Sequence, residues 1–237
     1  MTQPDRRAAL RLILGTPLAL AGGSLGAPDA AHAAALTREA RDRLTPDEVI
    51  EMLKRGNERF RTGKMQAHDY LAQKRATQQG QYPAAAILSC IDSRAPAEII
   101  LDSGIGETFN ARVAGNIAND DLIGGLEFAC AAAGAKVVLV MGHSACGAVK
   151  GAIDNVELGH LTALLDKIRP AIAATTFAGE RTGKNATFVD AVAVTNVWRT
   201  VEEIRARSTV LAGLEKDGKI RIMPSMYQLV GGRVDFL

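Results

Sequence analysis

Aromatic residues are scarce: one Trp, three Tyr and six Phe in 237 residues, 4% of the chain. That argues against an aromatic platform for stacking nucleobases, and it leaves the core to Ala, Val, Ile and Leu. Cysteine is scarcer still, with three in all, too few for a disulfide framework and odd in number. Neither sign of charge is in surplus, since 28 Lys and Arg face 26 Asp and Glu for a formal net charge of +2. Neutralising many phosphates needs a basic excess or stripe, so a general nucleic-acid binder is not indicated. What is present is 47% hydrophobic and 23% charged. These are the proportions of an ordinary soluble globular protein, not of a disordered, collagenous or disulfide-stapled chain.

The first stretch stands apart from the rest. Arg6 and Arg7 lead into an apolar run of Leu, Ala and Gly as far as about Ala27, and Ala31-His32-Ala33 follows. Basic, apolar and small-residue regions in this order predict an export signal over residues 1–33. Gly15, Pro17, Gly22, Gly23 and Gly26 interrupt the apolar part, which is too short and too weakly hydrophobic for a membrane anchor. The arginine pair, with Leu10 three positions after Arg7, resembles a twin-arginine signal, which takes folded cargo across a bacterial inner membrane. Asp5 stands where that motif prefers Ser or Thr. The expectation is a periplasmic protein whose residues 34–237 form one domain.

Within those residues the pattern alternates. A helix starts at Thr45, a capping side chain, with Pro46 at its first position and Asp47 and Glu48 in its first turn, and Gly63 ends it. A second helix is expected over 70–79. Ala84-Ala85-Ala86-Ile87-Leu88-Ser89-Cys90 and Val137-Val138-Leu139-Val140-Met141 are continuous apolar runs, the mark of strands buried on both faces. Further strands are expected at 108–113 and 220–223. Helices are expected at 95–101, 122–132, 145–154, 161–174 and 190–207. Residues 176–185 read as a surface loop, and Gly231-Gly232 as a hairpin turn. Strand and helix in alternation predict a three-layer α/β fold, a mostly parallel central sheet flanked by helices, with a helical arm at the N-terminus.

In such sheets ligands bind beyond the carboxyl ends of the strands. The first apolar run leads into Cys90-Ile91-Asp92-Ser93-Arg94, and the second into Gly142-His143-Ser144-Ala145-Cys146-Gly147. Two cysteines and a histidine thus reach one edge of one sheet. Cys and His bind zinc well, and three protein ligands with a free fourth position define a catalytic site. A disulfide between Cys90 and Cys146 would leave His143, Asp92 and Arg94 unexplained. A phosphatase loop needs five residues between Cys and Arg, and Cys90 and Arg94 are closer than that. Cys130 reads as a small core residue. His68 and His160 stand in polar surroundings and are expected to be solvated.

These residues resemble the β-class carbonic anhydrases. Cys90-x-Asp92-Ser93-Arg94 and Gly142-His143-Ser144-x-Cys146-Gly147-Ala148 are similar to the two signature segments of that family. Leu53-x-x-Gly56-Asn57-x-x-Phe60, Arg112-Val113-Ala114-Gly115-Asn116, Arg207-Ser208-x-Val210-Leu211 and the closing segment from Tyr227 to Leu237 match as well. The resemblance implies one Zn²⁺ per subunit on Cys90, His143 and Cys146, with Asp92 and Arg94 as a catalytic dyad. The implied reaction is reversible hydration of carbon dioxide to bicarbonate and a proton by zinc-bound hydroxide. Gln81, Phe109, Ala114, Phe128 and Gly147 fall at substrate-binding positions, and Phe128 replaces a tyrosine that many members carry. In the family the glutamine and the apolar wall come from a neighbouring subunit, which implies a homodimer or a larger homo-oligomer.

Two thiolates and a neutral imidazole cancel the charge of Zn²⁺, yet the site must bring water from a pKa of 15.7 towards about 7. Asp92, paired with Arg94, would orient the hydroxide; released, it could become the fourth ligand and close the site. A purely structural salt bridge capping the next helix is the alternative for that pair. At the level of function the alternatives are hydrolysis of carbonyl sulfide or carbon disulfide on the same fold, and a non-catalytic zinc- or bicarbonate-binding module.

Overall fold

The computed structural model describes residues 35–237; the expected export signal lies outside them. Its centre is a five-stranded sheet of β1 (Ala85–Ser89), β2 (Thr108–Arg112), β3 (Val137–His143), β4 (Arg221–Tyr227) and β5 (Val234–Phe236), in the order β2-β1-β3-β4-β5. The first four strands run parallel and β5 returns antiparallel to β4. All five positions of β1 and all seven of β3 are buried. Both runs lack the polar alternation of a sheet with one wet face, so helices must cover both sides.

They do. One face packs Val49, Ile50 and Leu53 of α2 (Pro46–Arg61) and Ala97 and Ile100 of α4 (Ala97–Ile100) onto Ile87, Val137 and Leu139. The other packs Phe188, Val192, Val197 and Ile204 of α9 (Ala186–Arg207) onto Leu88, Val138 and Val140, with α5 (Asp120–Glu127), α6 (Gly147–Ile153) and α8 (Arg169–Ala174) beside it. Each fully buried Leu, Ile, Val or Phe contributes roughly 1.5–3 kcal/mol. α1 (Arg38–Arg43) is tied down where Arg41 donates to the Ala133 carbonyl. Among the described residues no helix is long and apolar enough to cross a membrane.

Local chemistry accounts for the ends of several elements. Thr45 and Glu48 form a reciprocal capping box at the start of α2. Gly231 and Gly232 take positive φ, 80° and 69°, in the turn that brings β5 back beside β4. The expected helix over 161–174 is two helices, α7 (Gly159–Asp166) and α8, because Pro170 lacks the N–H that would continue the ladder. Residues 122–132 also divide, as α5 passes into a π-turn at Phe128–Ala132. α3 (Tyr70–Ala76) stops short of residue 79. α1 and α10 (Thr209–Lys216) carry no expectation from the sequence, although Ser208 caps α10 by accepting from the Leu211 N–H.

His68 corrects an expectation: it is not solvated. Its side chain is 2% exposed, and Nε2 lies 3.1 Å from a buried Asp102 oxygen. Asp102 also takes the Arg59 Nε at 2.5 Å, so the polar sequence around His68 folds inward onto the turn after α4.

After β1 the chain crosses to β2 on one side, and β3 then lies on the other. The carboxyl ends of β1 and β3 therefore flank the point where strand order reverses, the crevice in which open α/β sheets bind ligands.

Candidate metal centre

Cys90 follows β1 directly, His143 closes β3, and Cys146 is the residue just before α6. Ser89 pairs in register with Met141, which sets Cys90 level with Gly142 and His143 one step further along. All three side chains are buried, and their ligand atoms lie within 4.8 Å of one another. The two sulfurs are 4.0 Å apart and unbridged.

The histidine is oriented for a metal. Its Nδ1 is 2.9 Å from the Ser144 carbonyl; a carbonyl only accepts, so Nδ1 carries the proton. Nε2 then presents a lone pair to the interior, and it has no hydrogen-bond partner there. A buried nitrogen without a partner is costly, and beside two sulfurs a thiophilic cation satisfies it.

Each sulfur is also placed by main chain. The Gly115 N–H donates to Cys90 Sγ at 3.4 Å. Gly115 holds φ 70°, and an added Cβ would sit 2.5 Å from Ile168 Cδ1, so any other residue there is strained and Ile168 must shift. Asn196 Nδ2 fixes the Gly115 carbonyl at 2.8 Å. Cys146 is the N-cap of α6, where the N–H groups of Ala148 and Val149 favour its thiolate without a side-chain capping hydrogen bond. Between the ligands, Ala145 takes a positive φ of 53°, and its N–H is held by Asp190 Oδ1 at 2.7 Å.

The contact between the two sulfurs drives the Cys90 pKa well down, helped by His143 and Gly115 against the effect of burial. The same contact, together with burial, drives Cys146 up. Burial opposes charging His143, but the nearby Cys90 sulfur outweighs it and the net shift is upward. The pocket thus carries negative charge that favours a cation and releases a proton when one binds. Cys130 lies elsewhere in the core, its thiol pushed up to about 12 by burial alone.

Beside the cluster, Arg94 Nε and Nη2 grip the two Asp92 oxygens at 3.0 and 2.8 Å. Hydrogen bonds from Arg94, acting against desolvation, hold the Asp92 carboxyl well below the usual carboxylate range. Asp92 Oδ2 lies 3.8 Å from His143 Nε2. The pair does not cap α4, whose N-cap is Pro96 with no side-chain hydrogen bond.

The other residues singled out from the sequence fall in three places. Ala114 and Gly147 adjoin, in the chain, Gly115 and Cys146. Phe109 on β2 meets Phe128 edge-on, with ring centroids 6.1 Å apart and Phe128 58% exposed. Gln81 does not join the cluster: it lies at the amino end of β1, in a groove with Thr77, Gln79 and Gly106. Sequence reasoning gave no role to Arg112, Asp190 or Asn196, which hold the site by contacts across the fold.

Fold and site together define a protein with a buried Cys₂His metal centre at the switch point of a mostly parallel α/β sheet. The carbonic anhydrase family model matches residues 85–234. Carbonic anhydrase 2 of Mycobacterium tuberculosis is 34% identical over 194 residues, covering 79% of this chain and 91% of that protein. The β-carbonic anhydrase CafA of Aspergillus fumigatus is 27% identical with a TM-score of 0.58, covering 67% of this chain and 76% of that one. A structure of two tetrameric β-carbonic anhydrases from Sordaria macrospora gives a TM-score of 0.59 at 23% identity, covering 67% and 82%. The chain belongs to the β-class carbonic anhydrase family. The metal that this donor set fits is zinc: two thiolates and one imidazole nitrogen, buried, with the nitrogen lone pair free.

Proposed function

We propose that this protein catalyses the reversible hydration of carbon dioxide to bicarbonate and a proton. The observation that carries the reading is the unpartnered Nε2 of His143 among two buried sulfurs, with the Arg94-held carboxylate 3.8 Å away. Zinc bound by Cys90, His143 and Cys146 supplies a Lewis acid that brings the pKa of water towards about 7. Asp92, ionised and held by Arg94, only accepts hydrogen bonds; it takes the O–H of the attacking oxygen and leaves a lone pair facing the carbon of carbon dioxide. Ala114 and Gly147 adjoin the ligand residues, and Phe109 and Phe128 of a neighbouring subunit would supply an apolar wall suited to a small linear gas. Stopped-flow hydration by zinc-quantified protein, run beside carbonyl sulfide and carbon disulfide, tests the reading. Zinc-loaded protein with no hydration above buffer across pH 7–9 would overturn it.

Gln81 supports a shared site. Lying at the amino edge of its own sheet, it can donate to substrate only in another subunit, so the catalytic unit is at least a homodimer. Sedimentation of active enzyme checks this, with a dimer or larger species expected; an active monomer sinks the shared site.

Export through the twin-arginine route also belongs to this reading. Cys90 and Cys146, 4.0 Å apart, would be open to disulfide capture if they reached an oxidising compartment unfolded and metal-free. Folding and loading with zinc in the reducing cytoplasm protects both thiolates. Changing Arg6→Lys together with Arg7→Lys is expected to leave active enzyme in the cytoplasm and almost none in the periplasm. Undiminished periplasmic activity would mean that the arginine pair does not direct export.

A further inference from the structure

Asp92 is held by its main chain as well as by its carboxylate, and the holding group comes from the neighbouring strand. Arg112 is the last residue of β2, paired in register with Ser89. Its Nε donates to the Cys90 carbonyl at 2.9 Å and its Nη2 to the Asp92 carbonyl at 2.6 Å. The Asp92 carbonyl accepts the Ala95 N–H as well, at 3.0 Å, so two donors fix it and residues 92–95 close into a turn. Inside that turn the Arg94 N–H meets Asp92 Oδ1 at 2.9 Å. The grip of Arg94 on Asp92 therefore depends on a closed turn, and the turn is braced from β2.

Arg112 is half-buried, and no carboxylate among the described residues pairs with it. A rigid guanidinium fork can hold two carbonyls at fixed spacing, whereas an ammonium is a point donor on a flexible stem. One of the carbonyls belongs to a metal-holding residue and the other to the acid two positions on. Asp92 Oδ2 is already 3.8 Å from His143 Nε2, so a small rotation of an unbraced turn would carry it in among the ligand atoms.

We infer that Arg112 is a positioning residue: it braces the Cys90 and Asp92 carbonyls so that the Asp92 carboxylate stays with Arg94 and the space beside the metal stays open. The inference rests on the function proposed above. Its test compares wild type with Arg112→Ala and Arg112→Lys, each loaded with zinc or, as a coloured stand-in, cobalt(II). Metal per chain, azide affinity from the visible spectrum of the cobalt form, and kcat and KM for hydration are measured.

Metal stoichiometry is expected to hold while azide affinity and kcat fall together, by about tenfold or more in Arg112→Ala, the range for lost outer partners of a metal site. Arg112→Lys recovers little of this, and millimolar guanidinium added to Arg112→Ala restores part of both. Variants with wild-type azide affinity overturn the inference, whether or not their rate has dropped, and so does loss of metal from both. Should Arg112→Ala fail to fold, wild-type azide affinity in Arg112→Lys overturns it as well. Wild type that binds zinc and azide yet hydrates no carbon dioxide would instead sink the proposed function, leaving the azide titration to judge the brace.

Discussion

Cys146→Ser is expected to lose zinc and hydration activity together. Serine is nearly isosteric, so the start of α6, of which residue 146 is the N-cap, stays in place. What changes is the donor: a hydroxyl neutral at physiological pH replaces a thiolate, and one of the two negative charges that offset Zn²⁺ is gone. Outer partners of a ligand typically cost about 10–100-fold in affinity when removed, and a ligand itself costs more. Metal analysis after dialysis against a weak chelator, with stopped-flow rates on the same sample, measures both quantities. A thermal melt of the apo forms separates metal loss from misfolding. A Cys146→Ser protein with full zinc and full rate would remove Cys146 from the site.

Asp92→Asn is expected to do the reverse, keeping zinc while the hydration rate falls by about 10²–10³-fold, the cost of losing one well-placed polar group at a reacting atom. None of the three clustered ligand atoms is altered. The amide, however, cannot pair ionically with Arg94, and it can turn a donor towards the oxygen that Asp92 only accepts from. The substitution leaves the Asp92 carbonyl and its bonds to Arg112 and Ala95 intact, so the turn survives. Zinc content and kcat measured together decide the matter; wild-type turnover in the variant would reduce the pair with Arg94 to a structural role.

Much of the architecture is legible along the chain because its cause is local. The apolar runs that become β1 and β3 must be buried on both faces, and that alone calls for a parallel sheet between helices. The capping box at Thr45 and Glu48, and the glycine pair before β5, act over a few residues and can be read there. The ligands are legible for a related reason: Cys90, His143 and Cys146 interrupt or follow apolar runs where core packing has no use for them. Gaps arise where the cause is not local. Residues around His68 are polar and suggest solvent, yet Asp102, in the turn after α4 and itself held by Arg59 of α2, meets His68 in the interior. Pro170 is the exception, a local cause that apolar spacing alone does not weigh: its missing N–H splits a segment whose hydrophobic pattern runs on without a break.

By itself the sequence determined the four parallel strands, most of the helices between them, and which three residues stand at strand ends with metal-binding atoms. It did so because periodicity, capping and donor chemistry belong to neighbouring residues. Only the tertiary structure decided what holds those atoms in place. Gly115 reaches Cys90 from the turn after β2, Asp190 reaches Ala145 from α9, and Arg112 spans the Cys90 and Asp92 carbonyls from β2. Each contact joins residues far apart in the chain, and it exists only once strand order and register have set β2 beside β1 and α9 against β3. A pattern read along one dimension carries no measure of that distance.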